Sequence, residues 1–388
     1  MELRMTKPNV LILCDSNPNN DPRPNRMISW LKADYNLTVI SETSDTSIQN
    51  IEMIGIYKPT RKNNQIIYFL QYIFYFLLKR YEEIAWLKLG YAKEILKTIS
   101  KRRYHLIISH DCTFLPFAYA LKKATGTKIL FDAREYYTRD FEDQIVWRWF
   151  RKPIFDYLCQ TYLKHCDKVI TVSKGLADEY AREYQIPTPE MIMSLPYPYL
   201  LEISQTEQEN IRIIYHGAVN ASRNTELMIM MMDYVDERYS LDLMIVPTSD
   251  MRYWRKLEAM VSTRKNIRII PPVPMQEIVP FINQYDIGLF LCPPTNFNLE
   301  YVLPNKLFEF IQARLAVAIG PNVEMKKIVE QYECGIVTND FDPLTMAMTL
   351  NQLTKTQILN YKKRSHQAAL ELNADKNKEK IYKILKQI

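Results

Sequence analysis

A short stretch late in the chain combines a cation and a carboxylate at spacings that could hold an anion carrying hydroxyl groups. In Leu303-Pro304-Asn305-Lys306-Leu307-Phe308-Glu309-Phe310-Ile311, Asn305 and Glu309 stand four apart and Lys306 and Glu309 three apart. On a helix these spacings put the three side chains on one polar face. Leu307, Phe308, Phe310 and Ile311 supply the apolar set that would pack it on a sheet. Pro304 suits a first helical position, where φ is already helical and the missing N–H is not needed. First-turn N–H groups lack intrahelical partners, and the helix dipole makes that end attract anions. A phosphate near Lys306 and hydroxyls at Glu309 together suit a nucleoside diphosphate. The plain alternative is an Asn-capped helix with a solvated Lys306–Glu309 pair.

A second candidate phosphate ligand precedes this stretch. In His216-Gly217-Ala218-Val219-Asn220-Ala221-Ser222-Arg223-Asn224, Gly217 permits close backbone approach. Arg223 stands at the expected start of a helix that Ser222 or Asn224 would cap. In the first half of the chain, Arg23, His110, Asp111, Asp132, Arg134 and Glu135 all follow apolar runs that read as strands. Ligands of open α/β sheets bind beyond the carboxyl ends of the strands, so these groups point to a second pocket.

The elements that must position these groups recur in a strand–helix order. Asn9–Cys14, Leu37–Ser41, Leu106–His110, Lys128–Asp132 and Lys168–Ser173 read as buried parallel strands. Helices are expected around Met27–Leu31, over Leu115–Ala124, and over Gly175–Tyr184 with Ser173 as cap. The order resumes with strands Ile211–Tyr215, Leu241–Val246, Asn266–Ile270, Ile287–Cys292, Ala316–Ile319 and Gly335–Thr338. Helices Met251–Val261, Met275–Tyr285 and Val323–Tyr332 fall between them. The tail is expected to be helical from Thr354 onward. This is an α/β pattern of doubly wound sheets. Residues 186–210 carry four prolines and no helical period. We therefore expect Rossmann-like domains at 1–195 and 211–370, a linker at 196–210, and a terminal helix at 371–388 folding back on the first domain. Their strand ends would face each other across a cleft.

Length and composition bound the rest. A chain of 388 residues exceeds one ordinary core. A net charge of +6 favours anionic partners. No basic run alternates with stacking aromatics, so nucleic acid is not expected as a partner. The six cysteines include no C-x-x-C pair, which suits reduced thiols in a cytoplasm and no zinc site. The apolar run Ile66–Leu78 is shorter than the roughly 18–20 residues a bilayer span needs. Lys58, Arg61 and Lys62 lead into it and Lys79-Arg80 close it, and a second helix is expected over Ile84–Ser100. Basic ends around an aromatic middle fit a helix lying on a membrane surface, and fit equally a helix buried between domains.

Taken together, the paired domains, the Arg223 loop and the Pro304-Asn305-Lys306-x-x-Glu309 helix resemble GT-B glycosyltransferases, especially retaining enzymes of glycosyltransferase family 4. Asp21-Pro22-Arg23, Phe131-Asp132-Ala133-Arg134-Glu135-Tyr136-Tyr137, Val172-Ser173 and Asp286-Ile287-Gly288 add to the match. The resemblance implies that the second domain holds a nucleotide-sugar donor, UDP-, GDP- or ADP-linked. Glu309 would take the ribose hydroxyls, Arg223 and Lys306 would compensate the leaving diphosphate, and Val273 would lie against the base. Asn305, Leu307, Gly217 and Asn298 would complete the donor site. Arg134 and Glu135 would act beside Arg223 and Lys306 at the reacting centre, with Arg23, His110, Asp111 and Asp132 toward the acceptor. No cofactor and no metal are implied.

Two positions depart from the family pattern. Tyr301 stands where a Glu is frequent, with Glu300 one step off, and Arg134 stands where a His is frequent. They leave open which groups contact the transferred sugar. The implied function is sugar transfer to a lipid-linked or soluble saccharide in bacterial envelope polysaccharide synthesis, with retention. Its place would be the cytoplasm or the inner face of the plasma membrane, touched through Tyr68–Leu78. The competing readings are a nucleotide-sugar 2-epimerase on the same fold and a non-catalytic binding protein.

Overall fold

The computed structural model describes residues 7–43, 51–56, 62–247 and 250–388, without the side chains of residues 62–64. Lys58, Arg61 and the side chain of Lys62 therefore lie outside it. The chain divides into two compact units, Met1–Ile192 with Ile381–Ile388, and Met193–Lys380.

The first unit is built on seven parallel strands: β1 (Asn9–Leu13), β2 (Asn36–Ser41), β3 (Glu52–Gly55), β4 (Leu106–Ser109), β5 (Lys128–Ala133), β6 (Lys168–Thr171) and β7 (Glu190–Met191). Their order is β3-β2-β1-β4-β5-β6-β7. Val10 pairs with Leu37 on one side and Leu106 on the other. An all-parallel sheet needs cover on both faces, which is why its central strands are apolar throughout. Val10–Leu13 and Leu106–Ser109 are buried at every position.

The second unit holds β8 (Ile211–Ala218), β9 (Tyr239–Val246), β10 (Ile267–Ile269), β11 (Ile287–Phe290), β12 (Ala316–Ile319) and β13 (Gly335–Val337). Its order, β10-β9-β8-β11-β12-β13, is again parallel. Both sheets are doubly wound α/β, as expected. Each reverses its strand order at one point, between β1 and β4 and between β8 and β11. Ligands of such folds bind beside that point.

Several local expectations change. Ile84–Ser100 is two helices, Tyr81–Lys88 and Ala92–Ile99, broken at Gly90 with φ +57°. Met275–Tyr285 is a short turn followed by the helix Ile278–Ile282. The tail is two long helices, Lys355–Glu371 and Ala374–Leu385, the first opened by a capping box at Thr354 and Gln357. Ser173 precedes the helix Lys174–Tyr184 without donating or accepting a capping bond. Instead, Asp21 caps the helix Pro22–Leu31 by accepting from Arg23 N. Tyr382, in the terminal segment that belongs to the first unit, donates to Trp30 O at 2.8 Å.

The helix Asn305–Gln312 begins one residue later than expected, with Pro304 as its N-cap and no side-chain cap. Phe310 seats it on β11 because Gly288 leaves room: a Cβ at Gly288 would lie 2.3 Å from Phe310 Cγ. Asp286, just before β11, is a structural clamp. It accepts from Thr206 Oγ1 at 2.6 Å, Arg212 N at 3.0 Å and the buried Lys362 Nζ at 3.1 Å.

Candidate functional site

In the second unit, the end of β8 carries His216 and Gly217 before Ala218, directly at the reversal of strand order. Gly217 has φ +136°, a conformation that side chains strain to adopt. A Cβ there would lie 3.0 Å from Lys306 Nζ and 3.5 Å from Arg223 Nη1. The bare glycine is therefore flanked by two cations that come from different elements. Arg223 closes the 3-10 turn Ala221–Arg223, which Asn220 caps by accepting from Ser222 N. The following helix, Glu226–Met231, has neither Ser222 nor Asn224 as its cap.

Lys306 is not on a solvated polar face. It is 5% exposed. Its Nζ lies 4.0 Å over the Tyr215 ring and 5.1 Å from that of Phe290. It makes no hydrogen bond among the described residues. Burial, and then the charge of Arg223, pull its pKa well below that of an ordinary lysine. A buried ammonium without a partner is costly, and ion-pair geometry elsewhere in proteins avoids it. The plain Lys306–Glu309 surface pair is thereby excluded.

Glu309, one turn deeper and partly exposed, has its Oε2 3.4 Å from His216 Nε2. Burial, followed by Lys306 and Arg223, pushes the His216 pKa down to about 3. The imidazole is thus neutral beside the carboxylate, a long polar approach and not an ion pair. Phe310 meets its ring edge-on at 5.3 Å. His216 had no assigned role in the sequence; its signal was its place at a strand end beside Gly217.

The remaining donor-side candidates separate. Asn305 is half-buried in the first turn of the helix. Asn298 lies in the short helix Phe297–Glu300, which Asn296 caps by accepting from Leu299 N. Val273 follows β10 and packs partly against the core. Leu307 is fully buried in that core, so its side chain offers nothing to a ligand. The Tyr301 ring lies tilted against that of Phe297, their centroids 4.8 Å apart.

In the first unit the candidates sort into two networks. Arg23 is not free to face a crevice. It donates to both oxygens of Asp132, at 2.7 and 2.6 Å, and to Ile192 O at 2.8 Å. His110 Nδ1 lies 2.9 Å from Asp132 Oδ2, and all three side chains are buried. Burial opposes the charge on Asp132, but Arg23 and His110 more than offset it and hold the carboxyl well below the usual range. This network ties β4, β5 and the first helix together.

The second network is partly open. Arg134 donates to Asp21 Oδ2, and its Nη2 lies 3.6 Å from Asp15 Oδ1. Lys88 Nζ lies 3.7 Å from Asp15 Oδ2. Asp111 caps its turn by accepting from Thr113 N at 2.6 Å. Burial, then the neighbouring Asp111, raises the Asp15 pKa to about 6. Asp15 and Asp111 follow the adjacent strands β1 and β4, so both sit at the reversal point. Asp15 was missed as a candidate, although its place just past β1 matches that of Asp111 past β4. Glu135 is exposed and follows β5 beside Arg134. Among the described residues no three His, Cys, Asp or Glu side chains are grouped to hold a metal.

Comparison with known proteins bears on this geometry. Residues 28–192 match the family model described as Glycosyltransferase Family 4. Curated protein sequences give no significant match. Among solved structures the chain is similar to HepE of Anabaena in complex with UDP and glucose. Identity there is 11%, with 98% of this chain and 100% of that chain covered at a TM-score of 0.69. It is similar to a glycosyltransferase from Rickettsia africae at 11% identity, covering 99% of each chain, with a TM-score of 0.72. A sucrose-phosphate synthase from Thermosynechococcus elongatus aligns at 11% identity, 98% of each chain and a TM-score of 0.69. The fold is therefore that of the GT-B glycosyltransferases. The match to a glycosyltransferase family lies within the first unit, over residues 28–192.

Proposed function

We propose that the protein transfers a sugar from a nucleotide-sugar donor held at Gly217, Arg223, Lys306 and Glu309. The observation that carries this is the unpartnered, buried Lys306 ammonium beside Arg223 at the bare Gly217 backbone. Such a cation pair lacks an anion, and a diphosphate supplies one. When the anomeric C–O bond breaks, its electron pair stays on the diphosphate, and fixed cations aimed at that growing charge lower the barrier. Glu309 would accept from the ribose hydroxyls, beside the His216 imidazole 3.4 Å away. Side chains alone would compensate the charge in this reading, without a metal.

The base is read as uracil in preference to guanine or adenine. HepE was crystallised with UDP and glucose, and a trehalose-6-phosphate enzyme of E. coli, 11% identical, with UDP-2-fluoro glucose. For the acceptor we infer a lipid-linked saccharide of envelope polysaccharide synthesis, with retention at the anomeric carbon. A peripheral membrane contact through the helix that includes Tyr68–Leu77 belongs to the same reading. Among the described residues no helix is long and apolar enough to cross a membrane. Arg134, Glu135, Asp111 and Asp15 are the acceptor-side groups we assign.

Incubation with UDP-sugars, with and without saccharide acceptors, tests the reading by NMR of the products. Acceptor-dependent release of UDP supports transfer. Epimerised donor without acceptor would replace it with the epimerase reading. Binding with no turnover of any donor would replace it with a binding protein.

A further inference from the structure

The first unit turns two apolar helix faces to solvent. On the helix Lys62–Leu77, Ile66, Leu70, Phe74 and Leu77 form one stripe and are between 56% and 75% exposed. On the helix Ile145–Phe150, Ile145, Val146 and Trp149 are at least 63% exposed, while Trp147 between them is buried as the anchor. A surface helix ordinarily hides its apolar stripe, and monomers rarely present contiguous apolar patches of this kind.

The two faces are joined. Tyr72 Oη donates to Phe150 O at 2.7 Å, and the Phe76 and Phe150 rings lie 5.5 Å apart. Arg151 sits 6.0 Å from the Tyr72 ring. Its border is mainly cationic. Residues 65–78 contain no Asp or Glu, and Lys79, Arg80, Arg148, Arg151 and Lys152 surround them. Of the nearby acids, Glu83 is paired with Arg80 and Lys93, and Asp156 with Lys152. Asp143, ahead of Ile145, is exposed.

We propose that these two helices form one plate that docks the protein on an anionic membrane surface, with the Ile145–Phe150 helix as its second half. Tryptophan and tyrosine with basic neighbours match the headgroup region, where apolar rings and polar tips are both accommodated. Anionic lipids complement the cationic border. A second copy of the chain fits less well, because a two-fold contact would set Arg148 and Arg151 near their own equivalents. This plate deepens the transfer reading, on which it rests only for the lipid nature of the acceptor.

The test is flotation of the full chain with vesicles of phosphatidylcholine alone or mixed with phosphatidylglycerol. The parent should float with the mixed vesicles and lose most binding to the neutral ones. The double variant Ile145→Ser, Trp149→Ser should lower partition about tenfold or more, with the Lys62–Leu77 helix untouched. Phe74→Ser should lower it independently, and both proteins should melt like the parent. A parent that stays unbound overturns the proposal, as does a double variant that binds like the parent. Sedimentation that shows a dimer dispersed by the same substitutions would overturn it in favour of a self-interface. UDP titration of the same samples keeps the donor site separate: its failure counts against the transfer reading and leaves the docking plate standing.

Discussion

Replacing Lys306 by Met separates a binding role from a structural one. The two side chains have similar length, but Met carries no charge into a site where Lys306 is 5% exposed and its buried Nζ makes no hydrogen bond. In the ligand-free protein the ammonium bears a desolvation cost of several kcal/mol. It recovers part of that through the Tyr215 ring at 4.0 Å, a contact of about 0.5–2 kcal/mol. Lys306→Met should therefore stabilise the second unit by about 1–3 kcal/mol. For a unit of this size each kcal/mol is about 2–4 °C, so the melting midpoint should rise by several degrees. UDP affinity should move the other way. Losing one charge-assisted bond costs about 1.5–3 kcal/mol, or roughly 10- to 150-fold in Kd. Thermal melts with and without UDP, followed by calorimetric titration, measure both. A variant that melts lower than the parent and binds UDP equally well would make Lys306 a structural residue.

Other outcomes follow from the same physics. Burial and Arg223 lower the Lys306 pKa, and a bound diphosphate should raise it again, so that the ammonium persists to higher pH than in the free protein. UDP affinity should fall as pH rises, with proton uptake seen by calorimetry in buffers of different ionisation heat; pH-independent binding without uptake would refute this. Asp132→Asn should destabilise the first unit by about 3–5 kcal/mol, since it strands the buried Arg23 guanidinium, and urea unfolding measures it. As the folded Asp132 pKa is depressed, its contribution is present above the ordinary carboxylate pKa of about 3.9 and is lost as pH falls below it. The parent should therefore lose that margin in acid, and the Asn variant should show a flatter acid limb. Gly288→Ala puts a Cβ 2.3 Å from Phe310 Cγ and should cost about 1–3 kcal/mol from overpacking. UDP binding should weaken with it, because Phe310 shares its helix with Glu309.

Continuous apolar runs such as Val10–Leu13 and Ile287–Phe290 made the central strands, and with them the doubly wound class, legible from sequence. The edge strands β3 and β7 were not, because they are short and partly exposed and so carry no apolar run. Lys306 and Arg223 were legible as cations near strand ends and helix starts. The burial of Lys306 was not: Tyr215 and Phe290, which cover it, lie on other strands and distant in the chain. Arg23 misled for the same reason, since its partner Asp132 is 109 residues away. The resemblance put Leu307 at the donor, whereas helical spacing had placed it in the apolar set, and the structure buries its side chain in the core. The Ile145–Phe150 helix, in a stretch without a strand or motif, acquires its meaning only from lying against the aromatic helix.

The central claim is that Gly217, Arg223, Lys306 and Glu309 hold a nucleoside diphosphate sugar. Its most direct test is a thermal-shift titration of the parent and Glu309→Ala with UDP, GDP, ADP and CMP and their sugars. A ligand at 100 times its Kd stabilises the folded state by about 2.7 kcal/mol. A uridine diphosphate should raise the parent's midpoint by several degrees and leave that of Glu309→Ala nearly unmoved. A parent unmoved by every nucleotide, or a Glu309→Ala variant shifted as far as the parent, would contradict it.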